Sequence, residues 1–100
     1  MDEPELLVES GGGVLTVTFN RPRQRNAMTW GMYEGLYEAC EKADADDDIR
    51  VLVLKGAGEK AFVAGTDISQ FADFREGSEG VAYEEKIARI VNRLEDVDVP

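Results

Sequence analysis

The sequence predicts an α/β fold in which parallel strands are joined by a helix. Apolar and polar positions alternate through Val14 to Phe19, a period of two that is typical of a β-strand. An amphipathic helix is predicted after Thr29, and the continuous apolar run Ile49 to Leu54 is typical of a strand covered on both faces of a parallel sheet. Strand, helix and strand in this order predict a right-handed βαβ unit.

The first strand is predicted to belong to a β-hairpin. Glu5 to Glu9 is a short strand candidate, and the run Gly11-Gly12-Gly13 separates it from Val14 to Phe19. Consecutive glycines tolerate positive φ angles, so they favour a tight turn between the two strands. Asn20-Arg21-Pro22 then ends the second strand, because proline cannot donate a ladder hydrogen bond.

Two helices are predicted from apolar residues that recur at helical spacing. The first has Thr29 as its N-cap and ends at the acidic run Asp44 to Asp48, which we interpret as solvated. Its apolar face comprises Tyr33, Leu36, Tyr37, Cys40 and Ala43. A short helical turn (Ile68 to Phe74) and a polar loop (Glu76 to Gly80) precede the second helix. That helix has an apolar face of Tyr83, Ile87, Ile90, Val91 and Leu94. Val97 to Pro100 is expected to lead into another strand.

Composition limits the chemistry of this chain. Its 100 residues form at most one small domain, and a net charge of −10 disfavours binding of nucleic acid or anionic membrane by the bulk surface. Without histidine the chain cannot form a Ser-His-Asp triad or a histidine-based zinc site, and one cysteine allows no internal disulfide. Met1 to Pro4 lacks a signal-peptide pattern, and no apolar run is longer than Val51 to Leu54. We therefore expect a soluble protein of the reducing cytoplasm.

Gly56 to Ala61 formally fits the dinucleotide-binding pattern Gly-x-Gly-x-x-Gly/Ala. That pattern requires a helix directly after it, and Phe62 to Gly65 does not open one. A glycine loop between two strand-like segments is the favoured interpretation.

Ala64 to Ile68 is a candidate anion site. Small residues before a helix start leave the first N–H groups of that helix uncovered, and these groups favour negative charge. The alternative is a loop in which Gly65 turns the chain and Asp67 caps the helix.

Four motifs in a fixed order carry a resemblance to a known family. They are Asn20-Arg21-Pro22, then Asn26 to Thr29, then Val51 to Leu54 with Gly56 to Gly58, and finally Lys60 to Ile68. This order closely resembles the enoyl-CoA hydratase/isomerase (crotonase) superfamily from Val14 to Pro100. The resemblance implies a spiral of ββα units, assembly as trimers or dimers of trimers, and acyl-CoA substrates. Coenzyme A would be part of the substrate, with no separate cofactor and no metal.

The resemblance also implies roles for individual residues. The backbone N–H of Thr66 corresponds to the first of two donors that bind the oxygen of a thioester enolate; many relatives have Ala at this position. Ala64, Gly65, Thr66, Asp67 and Ile68 would border bound coenzyme A, and Arg25 would approach its phosphates. Arg21 and Arg23 lie in the same basic turn, with a solvated loop as the alternative for Arg23.

The family's second oxyanion donor and its acid/base carboxylates match no residue of this chain. We therefore expect residues 1–100 to be the N-terminal part of a single crotonase-like domain that continues past Pro100, and to be inactive alone. The leading function is trans-2-enoyl-CoA hydratase. Another acyl-CoA isomerase, dehydratase or hydrolase, or a non-catalytic CoA-binding scaffold, is the alternative.

Overall fold

The computed structural model describes residues 4–66 and 77–100. Three strands form one sheet: β1 (Leu6–Gly11), β2 (Val14–Phe19) and β3 (Val51–Gly56). Strands β1 and β2 are antiparallel, and β2 and β3 are parallel. The predicted α/β class is therefore confirmed. The predicted helical turn of Ile68 to Phe74 lies outside the described residues.

A two-residue turn joins β1 to β2. The pairing runs from Leu6 opposite Phe19 to Gly11 opposite Val14, which leaves only Gly12 and Gly13 in the loop. Their φ angles are +59° and +84°. Two successive positive φ angles match the twist of a hairpin, and glycine adopts them without strain. Gly11, predicted in the turn, is the last residue of β1.

Helix α1 (Trp30–Ala45) covers one face of this sheet. As predicted, Thr29 is its N-cap, and the Thr29 hydroxyl accepts the Met32 N–H at 3.3 Å. The predicted apolar face packs on the sheet, although Tyr37 is only half-buried. Met32 and Ala39 are also buried, so the contact face is wider than the sequence pattern indicates.

Helix α2 (Gly77–Glu95) packs against α1. It begins at Gly77, so the loop predicted for 76–80 is wrong at its described positions. Tyr83 and Ile90 are buried and Ile87 and Leu94 partly so, but Val91 is 40% exposed. Val91 lies about 80° around the helix axis from Tyr83, at the edge of the apolar stripe, because successive residues are about 100° apart.

An ion-pair network joins the two helices. Arg93 on α2 pairs with Glu41 and Asp44 on α1, and Asp44 also accepts the Asp98 N–H at 2.9 Å. The Asp98 N–H and Arg93 lower the pKa of Asp44, and Arg93 lowers the pKa of Glu41. The prediction of a merely solvated acidic run is therefore wrong at Asp44.

The C-terminal residues reach the free edge of β3. The Leu52 N–H donates to the Pro100 carbonyl at 2.9 Å, so the segment predicted to lead into another strand ends beside β3. Across residues 4–66 and 77–100, neither helix has the length and hydropathy needed to cross a membrane.

We predict that Arg93→Met flattens the pH dependence of stability in acid. The carboxyls of Glu41 and Asp44 have depressed pKa values in the folded state, so their contribution is complete above their ordinary values of 4.5 and 3.8 and is lost as pH falls below them. Urea unfolding of the intact protein between about pH 5 and pH 3 measures this. Arg89→Met, on the same helix, is the control. Parallel pH profiles for wild type and Arg93→Met would contradict the prediction.

Candidate functional site

The site lies where the chain leaves β2 and β3. Because these strands are parallel, their carboxyl ends meet at one edge of the sheet, where Phe19 is opposite Gly56. Residues 20–28 follow β2 and residues 57–66 follow β3. The two loops contact each other through hydrogen bonds, and at their base the Ala57 N–H donates to the carbonyl of Phe19, the last residue of β2, at 2.9 Å.

Asn26 holds the two loops together. Its side chain is fully buried, and its amide nitrogen donates to the carbonyls of Ala57 and Ala61, both at 2.9 Å. Its amide oxygen accepts the Arg21 N–H at 2.8 Å. Arg25 and Asn26 have φ angles of +53° and +61°, a left-handed conformation that asparagine tolerates better than most residues. One side chain therefore closes the first loop and attaches it to the second.

A glycine lets the second loop fold back over the end of β3. A Cβ atom on Gly56 would lie 2.7 Å from the Phe62 Cα, closer than real Cβ contacts. The Phe62 ring packs edge-on against Phe19 with centroids 5.5 Å apart. Consistent with the sequence interpretation, no helix opens within 57–66, so the dinucleotide-binding pattern lacks its structural context.

The predicted oxyanion segment is aligned by main-chain hydrogen bonds to the first loop. The Ala64 N–H donates to the Arg25 carbonyl at 3.0 Å, and the Met28 N–H donates to the Gly65 carbonyl at 2.7 Å. In a trans peptide the carbonyl and the following N–H point in opposite directions. The Thr66 N–H therefore points away from Met28, and it has no hydrogen-bond acceptor within residues 4–66 and 77–100.

The Thr66 side chain is also anchored. Its Oγ1 lies 2.6 Å from the Tyr33 hydroxyl on α1. The helical pattern predicts only a core position for Tyr33, because nothing in the local pattern joins residues 33 positions apart. Asn26 belongs to the motif Asn26 to Thr29, but nothing in the neighbouring sequence predicts that its side chain bonds to the second loop.

The three arginines of the basic turn divide into two groups. Arg21 points into the fold, where its guanidinium donates to the Ala27 carbonyl at 2.7 Å and lies 3.5 Å from Glu5. Arg23 and Arg25 are exposed, and no carboxylate of 4–66 or 77–100 forms an ion pair with either. Both line a cleft of about 530 Å³. Its other lining residues are Pro22 and Ala57 to Ala61, which include Lys60 and Glu59.

Of the remaining candidate site residues, Ala64, Gly65 and Thr66 lie in the described part of the chain. Ala64 and Gly65 are exposed and lie beside Arg25 through the Ala64 hydrogen bond. Asp67 and Ile68 lie outside the described residues. The structure thus brings Arg25 together with 64–66, which are distant in sequence.

Cys40 is a core residue, as predicted. Its side chain is fully buried, and burial is the main reason that the pKa of its thiol is raised. Trp30 packs edge-on against Tyr83 and lies under the Lys86 ammonium group.

Comparison with known proteins identifies the family. A family model described as enoyl-CoA hydratase/isomerase matches residues 14–97. The chain is 42% identical over 69 residues to the mitochondrial 3-hydroxyisobutyryl-CoA hydrolase of Danio rerio, covering 69% of this chain and 18% of the hydrolase. It is 40% identical over 83 residues to enoyl-CoA hydratase EchA19 of Mycobacterium tuberculosis, covering 77% of this chain and 31% of that protein.

A solved structure shows the same fold. The crystal structure of an enoyl-CoA hydratase/carnithine racemase from Magnetospirillum magneticum aligns with a TM-score of 0.88 at 34% identity, covering 99% of this chain and 38% of that chain. The chain therefore belongs to the enoyl-CoA hydratase/isomerase family and has the crotonase fold. It spans less than two fifths of the length of each of these three relatives.

We predict that Asn26→Leu destabilises the intact protein by at least about 3 kcal/mol, because it leaves one N–H and two carbonyls without their bonds and forces leucine into a left-handed conformation. Urea unfolding measures the loss. Asn92→Leu, at an exposed position of α2, should change stability by less than about 0.5 kcal/mol. A loss below about 1 kcal/mol for Asn26→Leu would show that the loops do not depend on this side chain.

Proposed function

We propose that this chain forms part of an acyl-CoA enzyme, with trans-2-enoyl-CoA hydration as the leading reaction, and that the Thr66 N–H is one of two backbone donors to the thioester oxygen. The observation that carries the proposal is the Met28 to Gly65 hydrogen bond, which turns the Thr66 N–H away from the first loop. Charge on an enolate collects at the thioester oxygen. A donor that is already aligned stabilises this charge without reorganisation in the transition state.

Coenzyme A would bind along the cleft beside this donor. The exposed guanidinium of Arg25 suits the phosphates, because arginine forms strong charge-assisted bonds with phosphate oxygens. Ala64 and Gly65 would follow the pantetheine chain, and Asp67 and Ile68 would continue that border. Arg23 and Lys60 line the same cleft and add positive charge to it.

The hydration itself requires groups besides this donor. Water adds at C3 and a proton adds at C2, so a general base and a general acid are needed together with a second oxyanion donor. We propose that they lie outside these 100 residues, and that this chain is the N-terminal part of one crotonase-like domain. Its coverage of only 38% of the aligned crystal structure supports this assignment.

A second candidate is hydrolysis of an acyl-CoA thioester. The 42% identity to a 3-hydroxyisobutyryl-CoA hydrolase favours it, and the same oxyanion donor would serve a tetrahedral intermediate. A non-catalytic CoA-binding scaffold is the remaining alternative. Incubation of the intact protein with crotonyl-CoA and with 3-hydroxyisobutyryl-CoA separates the three, since a hydratase consumes the first, a hydrolase releases free thiol from the second, and a scaffold does neither.

Assembly and location belong to the same proposal. We propose a homotrimer or a dimer of trimers in the cytoplasm, with no cofactor other than the coenzyme A of the substrate. The acidic composition of the chain supports the absence of nucleic acid among its partners.

We predict that Thr66→Pro lowers kcat of the intact protein by about 10²- to 10³-fold, because proline removes the N–H donor. Thr66→Ala keeps that donor and should lose less than about tenfold. Steady-state kinetics with crotonyl-CoA, supported by circular dichroism of each variant, measures both. Equal losses in two folded variants would contradict a role for the backbone donor.

We predict that Arg25→Gln weakens binding of CoA by about five- to tenfold, and that the wild-type affinity falls as salt increases, because a charge-assisted bond to phosphate is lost or screened. Isothermal titration calorimetry measures both effects. Arg50→Gln removes an exposed arginine at the opposite end of β3 and should leave the affinity unchanged. An equal loss in both variants would indicate a general charge effect.

A further inference from the structure

Two hydroxyl groups meet beside the proposed oxyanion donor. The Tyr33 hydroxyl and Thr66 Oγ1 are 2.6 Å apart, within the normal range for a bond between hydroxyls. The Tyr33 side chain is only 7% exposed, so its phenol needs a protein partner, and Thr66 supplies one. The bond joins α1 to the end of the second loop.

The peptide between Gly65 and Thr66 needs anchors, because its own conformation does not hold it. Gly65 has a φ of +112°, and a Cβ placed on it would meet nothing within 4 Å. A glycine in such open surroundings can adopt many orientations. The direction of the Thr66 N–H therefore depends on the bonds made to either side of it.

Two hydrogen bonds that hold this peptide come from one short stretch of chain, residues 28–33. On one side the Met28 N–H binds the Gly65 carbonyl, and on the other the Tyr33 hydroxyl binds the Thr66 side chain. Thr29, between them, caps α1 through the Met32 N–H. Residues 28–33 thus hold the peptide at two points, and the N–H lies between those points.

We propose, on the basis of the oxyanion site proposed above, that Tyr33 is a positioning residue that keeps the Thr66 N–H aimed at the thioester oxygen. Without the phenol, the Thr66 side chain can rotate, and the peptide keeps only its main-chain pairing with Met28. Tyr33 does not line the cleft that contains Arg23 and Arg25. Its loss therefore weakens binding of the thioester group and leaves binding of the CoA moiety intact.

The test compares two ligands across matched variants of the intact protein. Isothermal titration calorimetry gives dissociation constants for acetoacetyl-CoA and for CoA, and their ratio reports the thioester end alone. Tyr33→Phe and Thr66→Val should each lower the preference for acetoacetyl-CoA by about five- to tenfold, the scale of one hydrogen bond. The double variant should lose no more than either single variant, because both remove the same bond.

Controls separate positioning from a structural effect. Tyr37→Phe makes the same change one turn later on α1, where the ring contacts Arg89, and should retain the wild-type preference. Thr66→Ser keeps the hydroxyl and should retain more of the preference than Thr66→Val. A purely structural role for Tyr33 would lower the melting temperature while the ratio stayed constant.

The remaining outcomes distinguish failure of the role of Tyr33 from failure of the proposed oxyanion site. A wild-type preference that Tyr33→Phe leaves unchanged, or additive losses in the double variant, would overturn the role of Tyr33 and leave the proposed function standing. A wild-type protein that binds CoA without preferring acetoacetyl-CoA would overturn the proposed oxyanion site and the role of Tyr33 with it.

Discussion

The hydrogen bonds of the Asn26 side chain are the constraint on which the rest of the site depends. Two bonds from one buried amide join the loop after β2 to the loop after β3, and a third bond closes the first loop. A buried amide that is fully bonded is rigid, because breaking any bond leaves a polar group without water. Arg25, directly before it, is thereby fixed at the edge of the cleft, and its carbonyl is placed to accept the Ala64 N–H.

After Asn26, further hydrogen bonds position the site along the continuous stretch of residues 28–33. Met28 binds the Gly65 carbonyl, Thr29 caps α1, and Tyr33 binds the Thr66 side chain. The helix that packs on the sheet and the loop that carries the proposed donor therefore form one mechanical unit. Packing of α1 on β2 is consequently a requirement for the proposed chemistry as well as for stability.

The charge of the cleft is opposite in sign to the net charge of the whole chain. The whole chain has a net charge of −10, yet the cleft has three cationic side chains and one carboxylate, at Arg23, Arg25, Lys60 and Glu59. An acidic surface repels polyanions in general, whereas a local basic cleft can still bind a small phosphorylated ligand. Two of the acidic residues also contribute to the packing of the helices, because Glu41 and Asp44 on α1 form ion pairs with Arg93 on α2.

The sequence by itself determined the elements and the family. Alternation predicted β2, helical spacing predicted α1 and most of the face of α2, and four ordered motifs predicted the crotonase superfamily. These patterns are local or depend on the order of motifs along the chain, so they can be read from a single sequence. Errors occurred at boundaries and edges, as at Gly11, at the start of α2 and at Val91, where a shift of one to four residues changes the environment without changing the pattern.

Only the tertiary structure decided which side chains act together. Arg21 and Arg25 look equivalent in sequence, but Arg21 is bonded within the fold and Arg25 faces the cleft. Asn26 reaches carbonyls more than 30 positions away, and Tyr33 reaches Thr66 across 33. Contacts of this kind depend on how parallel strands bring two distant loops to one edge of the sheet. The closeness of the two loops in space cannot be read from the spacing of their residues along the chain.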